Sequence, residues 1–192
     1  MPASRLPREA RRAQLIEAGS AAFLGGGYER TSMEDVAQAA GVSRLILYRI
    51  FSSKEELYRA ILRQVLVALG DAFAGLSFDD VAEQGAATVI MPVARANPDA
   101  FRLLWRDAWH QPPFEGLAEE FRTYVSVYAR AIISRSIDDE RLLDWAAHTA
   151  GAHLIDGICR WLDAGDPALD AQHAERMAAG MRALVRAWAE VG

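Results

Sequence analysis

Cysteine is nearly absent: the 192 residues include one, Cys159. A lone thiol excludes an intrachain disulfide framework and any zinc site built on several thiolates. Lysine is as scarce, since Lys54 is the single lysine among 21 basic residues. No apolar run reaches the roughly 18 residues that a membrane-crossing helix needs, so no membrane partner is expected. The stretch Met1–Arg12 lacks the apolar core of a signal peptide, and the expected location is the cytoplasm. Strand-like alternation, internal repeats and low-complexity segments are missing too. What the chain has in plenty is apolar surface, at 52% hydrophobic residues. That is too apolar for disorder, and the length suffices to bury a sizeable core in one domain or two.

Charge is unevenly spread. Residues 1 to 63 hold ten Arg or Lys against seven Asp or Glu, a surplus of three, whereas the whole chain carries −5. The rest is therefore at −8, a mildly basic head on an acidic body, which suits a polyanion met at one end only. Residues 1 to 7, with two prolines and no periodicity, suggest a loose arm running into a first helix from about Arg8, and Arg5, Arg8, Arg11 and Arg12 are candidate phosphate contacts or simply hydrated. Leu15, Ile16, Ala22 and Phe23 supply the apolar face of this helix, and Gly25, Gly26 and Gly27 end it. This triple glycine is no phosphate loop, because neither a preceding strand nor a following Gly-Lys-Ser/Thr accompanies it.

The stretch Thr31 to Lys54 carries the functional signal. Thr31 and Glu34 have capping-box spacing, so a helix is predicted from about Ser32, with Val36, Ala37 and Ala40 on its inner face. Gly41 suits the left-handed conformation that ends a helix. Ser43 can cap a second helix whose Leu47 and Phe51 point inward. Two short helices joined by such a turn make a helix-turn-helix, whose second helix can enter the major groove of DNA. Its outward positions are Arg44, Leu45, Ile46, Tyr48 and Arg49. The two arginines can fork onto guanine, and Leu45 and Ile46 can touch thymine methyls.

Gly27-Tyr28, Thr31-Ser32, Val36-Ala37, Ala40-Gly41-Val42-Ser43, Leu47-Tyr48, Phe51 and Ser53-Lys54-Glu55-Glu56-Leu57 together resemble the N-terminal signature of TetR-family transcriptional regulators. The resemblance covers about residues 8 to 63 and departs from the usual pattern at Leu45, Ile46 and Ile50. It implies that Tyr48 and Lys54 hold DNA phosphates and that Thr31 and Ser32 set a helix start against the backbone. It further implies a homodimer through the last two helices and a double-stranded operator as partner.

Beyond Ser53 only helices are predicted. The first is long, from Lys54 to about Ala74, and is followed by segments of about 79–96 (kinked by Pro92), 98–109, 115–134, 138–164 and 168–191. The expected architecture is all-α, with a DNA-binding head at 1–53 and a helical ligand-binding and dimerisation bundle at 54–192. Trp145, Ala146, Thr149, Ala152, His153, Asp156 and Arg160 lie near one face of one terminal helix, and Met177, Met181, Leu184, Val185 and Trp188 near one face of the other; these faces either close the chain's own core or, as the resemblance implies, meet a second copy. Large side chains in the body suggest a pocket for a small-molecule effector, with Trp105, Trp109, Tyr124, Tyr128 and His153 as candidate contacts. His153, Asp156 and Cys159 recur every three residues, but such steps drift around a helix and do not converge on a metal. No cofactor, metal or catalytic residue is expected, since nothing supplies a nucleophile or oxyanion hole. The chain therefore reads as a ligand-responsive DNA-binding regulator, a repressor by resemblance. A helical small-molecule binder without DNA binding, or a small enzyme using His148, His153 and Asp156, are the alternatives.

Overall fold

The computed structural model describes residues 7–190. Ten α-helices cover most of them: α1 (Arg8–Gly26), α2 (Met33–Ala39), α3 (Arg44–Tyr48), α4 (Lys54–Phe73), α5 (Phe78–Gln84), α6 (Ala86–Ala96), α7 (Pro98–Arg102), α8 (Glu115–Ile133), α9 (Glu140–Ala164) and α10 (Asp170–Glu190). No strand occurs among the described residues. Most of the expected arm, Arg5 included, lies outside them, as does the expected helix end at Val191.

Two compact units form. The first runs to Val65 and recruits 99–117, and the second comprises 66–98 and 118 onward. The boundary expected at residues 53 and 54 coincides with the start of α4, and the units part later, within that helix.

In the first unit, Leu15, Ile16 and Phe23 of α1 meet Val36 of α2, Leu47 of α3, and Leu57, Tyr58 and Ile61 of α4 in a fully buried core. Gly19 lets α4 come close, because a Cβ there would lie 3.1 Å from the Ile61 side chain. Tyr58 is wedged between Phe23 (ring centres 5.0 Å apart) and Phe114 (4.6 Å), which fixes the 99–117 segment to the unit. After α7 the helix widens into a π turn, Leu103–Asp107, then tightens through Ala108–His110 into 3₁₀ geometry. The straight helix expected over 98–109 is thus re-phased: Leu103, Leu104 and Ala108 are buried, while Trp109 is left 42% exposed.

In the second unit α6, α9 and α10 pack together. Ile133, Ile137, Leu143, Ala146 and Ala150 form a buried cluster on which Met181, Val185 and Trp188 rest. Residues expected to face a second copy are therefore partly engaged inside the chain. The helix expected over 79–96 is in fact two, and Pro92 is not the break. Gly85 is: its φ of 88° is open to glycine, and it separates α5 from α6. The same glycine admits α10, since a Cβ there would lie 2.3 Å from that of Ala178. Asp170, at the start of α10, accepts two hydrogen bonds from Arg95 of α6 at 2.7 and 2.8 Å and one from Trp161 Nε1 of α9 at 2.7 Å.

Candidate nucleic-acid interface and ligand cavity

The reading head is built from two capped helices. Ser32, not Thr31, caps α2: its Oγ accepts from the Asp35 amide at 3.2 Å, and its own amide donates to Asp35 Oδ2 at 2.8 Å. Those bonds, the backbone one first, hold the Asp35 carboxyl below the usual carboxylate range. Thr31 is turned inward and 5% exposed, its hydroxyl donating to the Ala22 carbonyl at 3.2 Å. The expected Thr31–Glu34 box is thereby replaced by a Ser32–Asp35 box one residue on, and Thr31 does not face outward. Both pairs satisfy the spacing, and the methyl of threonine makes it the one that buries.

Gly41 has φ 64° and ends α2. Ser43 Oγ accepts from the Ile46 amide at 3.4 Å and starts α3. Leu47 and Phe51 are buried as expected and seat α3, leaving Arg44, Leu45, Tyr48 and Arg49 exposed and Ile46 half-buried. Leu45 is 66% exposed, which for a large aliphatic side chain leaves apolar surface uncovered by the described residues. The Arg44 guanidinium lies 5.3 Å from the Tyr48 ring centre and 3.5 Å from Glu34 Oε2, an exposed pair of little energetic weight. Lys54 is more constrained than expected. Its Nζ donates to the Tyr28 and Glu29 carbonyls at 2.9 and 3.3 Å and sits 4.4 Å from the Tyr28 ring centre. Two of its three donor positions are therefore in use within the head.

The second unit holds a cavity of about 330 Å³. Phe73 of α4, Ile90 of α6, Tyr124 and Tyr128 of α8, Leu154 of α9 and Val185 of α10 are among its walls. Tyr124 and Tyr128 lie 4.8 Å apart, centre to centre, with Phe73 4.7 Å from Tyr128. Burial first, then the hydrogen bond with Tyr128, pushes the Tyr124 hydroxyl well up, so that it stays protonated. Trp105, Trp109 and His153 are not in these walls. Trp105 and Trp109 belong to the first unit, and His153 is exposed on α9. Arg135, Arg182 and Arg186, which border the cavity, escaped the sequence reading. For Arg182 and Arg186 the signal was a pair of arginines four residues apart beside Met181 and Val185 on one amphipathic helix.

Among the described residues no group of three or more His, Cys, Asp or Glu converges to hold a metal. Asp156 is paired instead with Arg160 at 2.7 Å, and Cys159 is buried.

Residues 15–61, the helix-turn-helix with parts of its flanking helices α1 and α4, match the family described as bacterial regulatory proteins, tetR family. Over 61 residues the chain is 49% identical to the HTH-type transcriptional activator FasR of Mycolicibacterium smegmatis, a span of 32% of this chain and 28% of that protein. It is 47% identical over 51 residues to the HTH-type transcriptional regulator TtgR of Pseudomonas putida, covering 27% and 24% respectively. The likeness thus spans less than a third of these curated relatives. Across nearly the full length the fold matches a TetR-like transcriptional regulator from Rhodococcus sp. RHA1, with a TM-score of 0.67, 25% identity and coverage of 93% of this chain and 99% of that one. A TetR-family regulator from Bordetella parapertussis 12822 shares the fold at a TM-score of 0.71 and 19% identity, over 88% and 93% of the two chains. The head, residues 15–61, thus carries the tetR-family domain of bacterial regulatory proteins, and the all-helical fold around it is similar to that of TetR-like transcriptional regulators.

Proposed function

We propose that the chain is a cytoplasmic DNA-binding transcriptional regulator, acting as a homodimer on a near-palindromic double-stranded operator and releasing it when a small molecule fills the cavity of the second unit. One observation carries the reading: α3, seated by Leu47 and Phe51, turns Arg44, Leu45, Tyr48 and Arg49 to solvent. An exposed aliphatic side chain between two arginines and a tyrosine is poorly explained by solvation alone. It suits a groove that offers thymine methyls, guanine edges and phosphates together. Dimerisation through α9 and α10 is supported by Trp145, half exposed and 4.8 Å, centre to centre, from the Trp188 ring. Release by an effector is supported by α4, which supplies Leu69 and Phe73 to the cavity and Leu57 and Ile61 to the core of the head. A ligand that binds one of two conformations of this shared helix more tightly shifts the population toward it. Repression is the sign we propose; FasR is named an activator, and a reporter fused to the operator distinguishes the two.

No single helix among the described residues is long and apolar enough to cross a membrane. The regulator families matched are not enzymes in general, and no catalytic role is proposed.

Gel-shift assays on DNA flanking the chain's own coding region test this reading. A discrete complex is expected whose affinity falls linearly with the logarithm of salt concentration. Absence of any sequence-dependent complex across the salt series would leave a ligand-binding helical protein as the better description.

A further inference from the structure

We infer that the cavity of the second unit accepts an amphiphile with an anionic head, and that Arg182 and Arg186 meet that head. The inference rests on the reading of this cavity as the effector site and goes on to give the ligand's charge. Among the described residues three arginines border the cavity and no aspartate or glutamate does, in a chain with 26 acidic residues against 21 basic. Of the three, Arg135 is already paired with Asp79. Arg182 and Arg186 have no hydrogen bond or ion pair among the described residues.

Their position is set by the backbone. Gly85 brings α10 against the α5–α6 turn through Ala178, and a Cβ on Gly85 would lie 3.6 Å from Arg182 Nη1. The guanidinium therefore lies at the wall beside that turn, and Arg186, one helical turn further, continues the same edge. Deeper in, the walls are aliphatic and aromatic, and the Tyr124 hydroxyl among them, held protonated by burial, carries no charge to oppose an anion. An apolar body fits these walls, an anionic oxygen group satisfies the two forks with charge-assisted hydrogen bonds, and a cationic head meets like charge. At about 330 Å³ the space is at the low end for a small-molecule site, which limits the occupant to one short chain or compact ring body.

Calorimetric titration of the full chain with decanoate, 1-decanol and decyltrimethylammonium separates the possibilities. Decanoate is expected to bind about tenfold more tightly than decanol, and the ammonium most weakly. In the double variant Arg182→Gln/Arg186→Gln, decanoate should come within about twofold of decanol, with decanol affinity unchanged. Should the double variant not fold, the single changes carry the test, each reducing the preference about threefold. Equal binding of decanol and decanoate, a preference for the ammonium, or an unchanged preference in the variants overturns the inference and leaves the effector site standing. If none of the three probes binds while the protein still shifts its operator, the effector-site reading itself falls, and the inference with it.

Discussion

The guanidinium of Arg44 lies 5.3 Å from the centre of the Tyr48 ring. Residues four apart on a helix stack in this way, and here both belong to the exposed face of α3, so the arginine is held over a partner that itself faces outward. The pair limits the rotamers that Arg44 samples before DNA arrives, which lowers the entropy lost on binding.

Arg44→Ala should weaken operator binding by about 1–3 kcal/mol and relax preference at one base position, as loss of a base-reading fork does. Tyr48→Phe should weaken binding less and almost equally at all sequences. Neither residue is part of the core, so melting temperature and oligomeric mass should not move. Fluorescence anisotropy with operator and scrambled duplexes reads both effects; unaltered affinity for either variant removes that residue from the interface.

The two candidate caps of α2 are separable. Ser32→Ala should lower stability by about 1 kcal/mol, because the amide of Asp35 loses its acceptor. Glu34→Gln should change stability little, since among the described residues its carboxylate pairs with the exposed Arg44 alone. Urea denaturation of both variants measures the difference, and a larger loss from Glu34→Gln would restore the Thr31–Glu34 box.

Gly85→Ala is expected to destabilise the second unit by about 2–4 kcal/mol. It puts a side chain on a backbone at φ 88° and drives a Cβ to 2.3 Å from that of Ala178. Pairing it with Ala178→Gly should recover part of the loss, the steric part, and leave the conformational part. Chemical denaturation of the single and double variants reports the split.

Stability should fall in two stages as pH is lowered. Burial, with Arg176 adding to it, holds His173 below its ordinary 6.5. Below pH 6.5 the unfolded chain therefore takes up that proton more readily, and stability declines until the folded residue also titrates. Asp170 is held below its ordinary 3.8, chiefly by Arg95. Its contribution is complete above 3.8 and is lost as pH falls through the lower folded value. His173→Phe should flatten the first stage. Asp170→Asn should lower stability at neutral pH by about 2–3 kcal/mol and flatten the second. Urea midpoints measured between pH 8 and 3 test both, and parallel pH profiles for wild type and variants would refute the assignment.

The amino-acid order alone determined the helix-turn-helix. Its signals are local: a cap at Ser43, a left-handed Gly41, and Leu47 and Phe51 spaced to face one way, each acting within a few residues. The near boundaries of α1, α4, α8, α9 and α10 were legible for the same reason. One residue of ambiguity at Thr31 and Ser32 was not, because both fit the cap pattern and only burial against α1, at the Ala22 carbonyl, chooses between them. What tertiary packing decided is the body: the placement of Trp105 and Trp109 in the first unit, the split at Gly85 and the row of arginines at the edge of the cavity. Each depends on which distant helix comes near, and Gly85 and Ala178, 93 positions apart in the sequence, leave no mark of their contact in local periodicity. Helix starts are written in neighbouring residues, whereas a cavity is bounded by whatever long-range packing leaves unfilled.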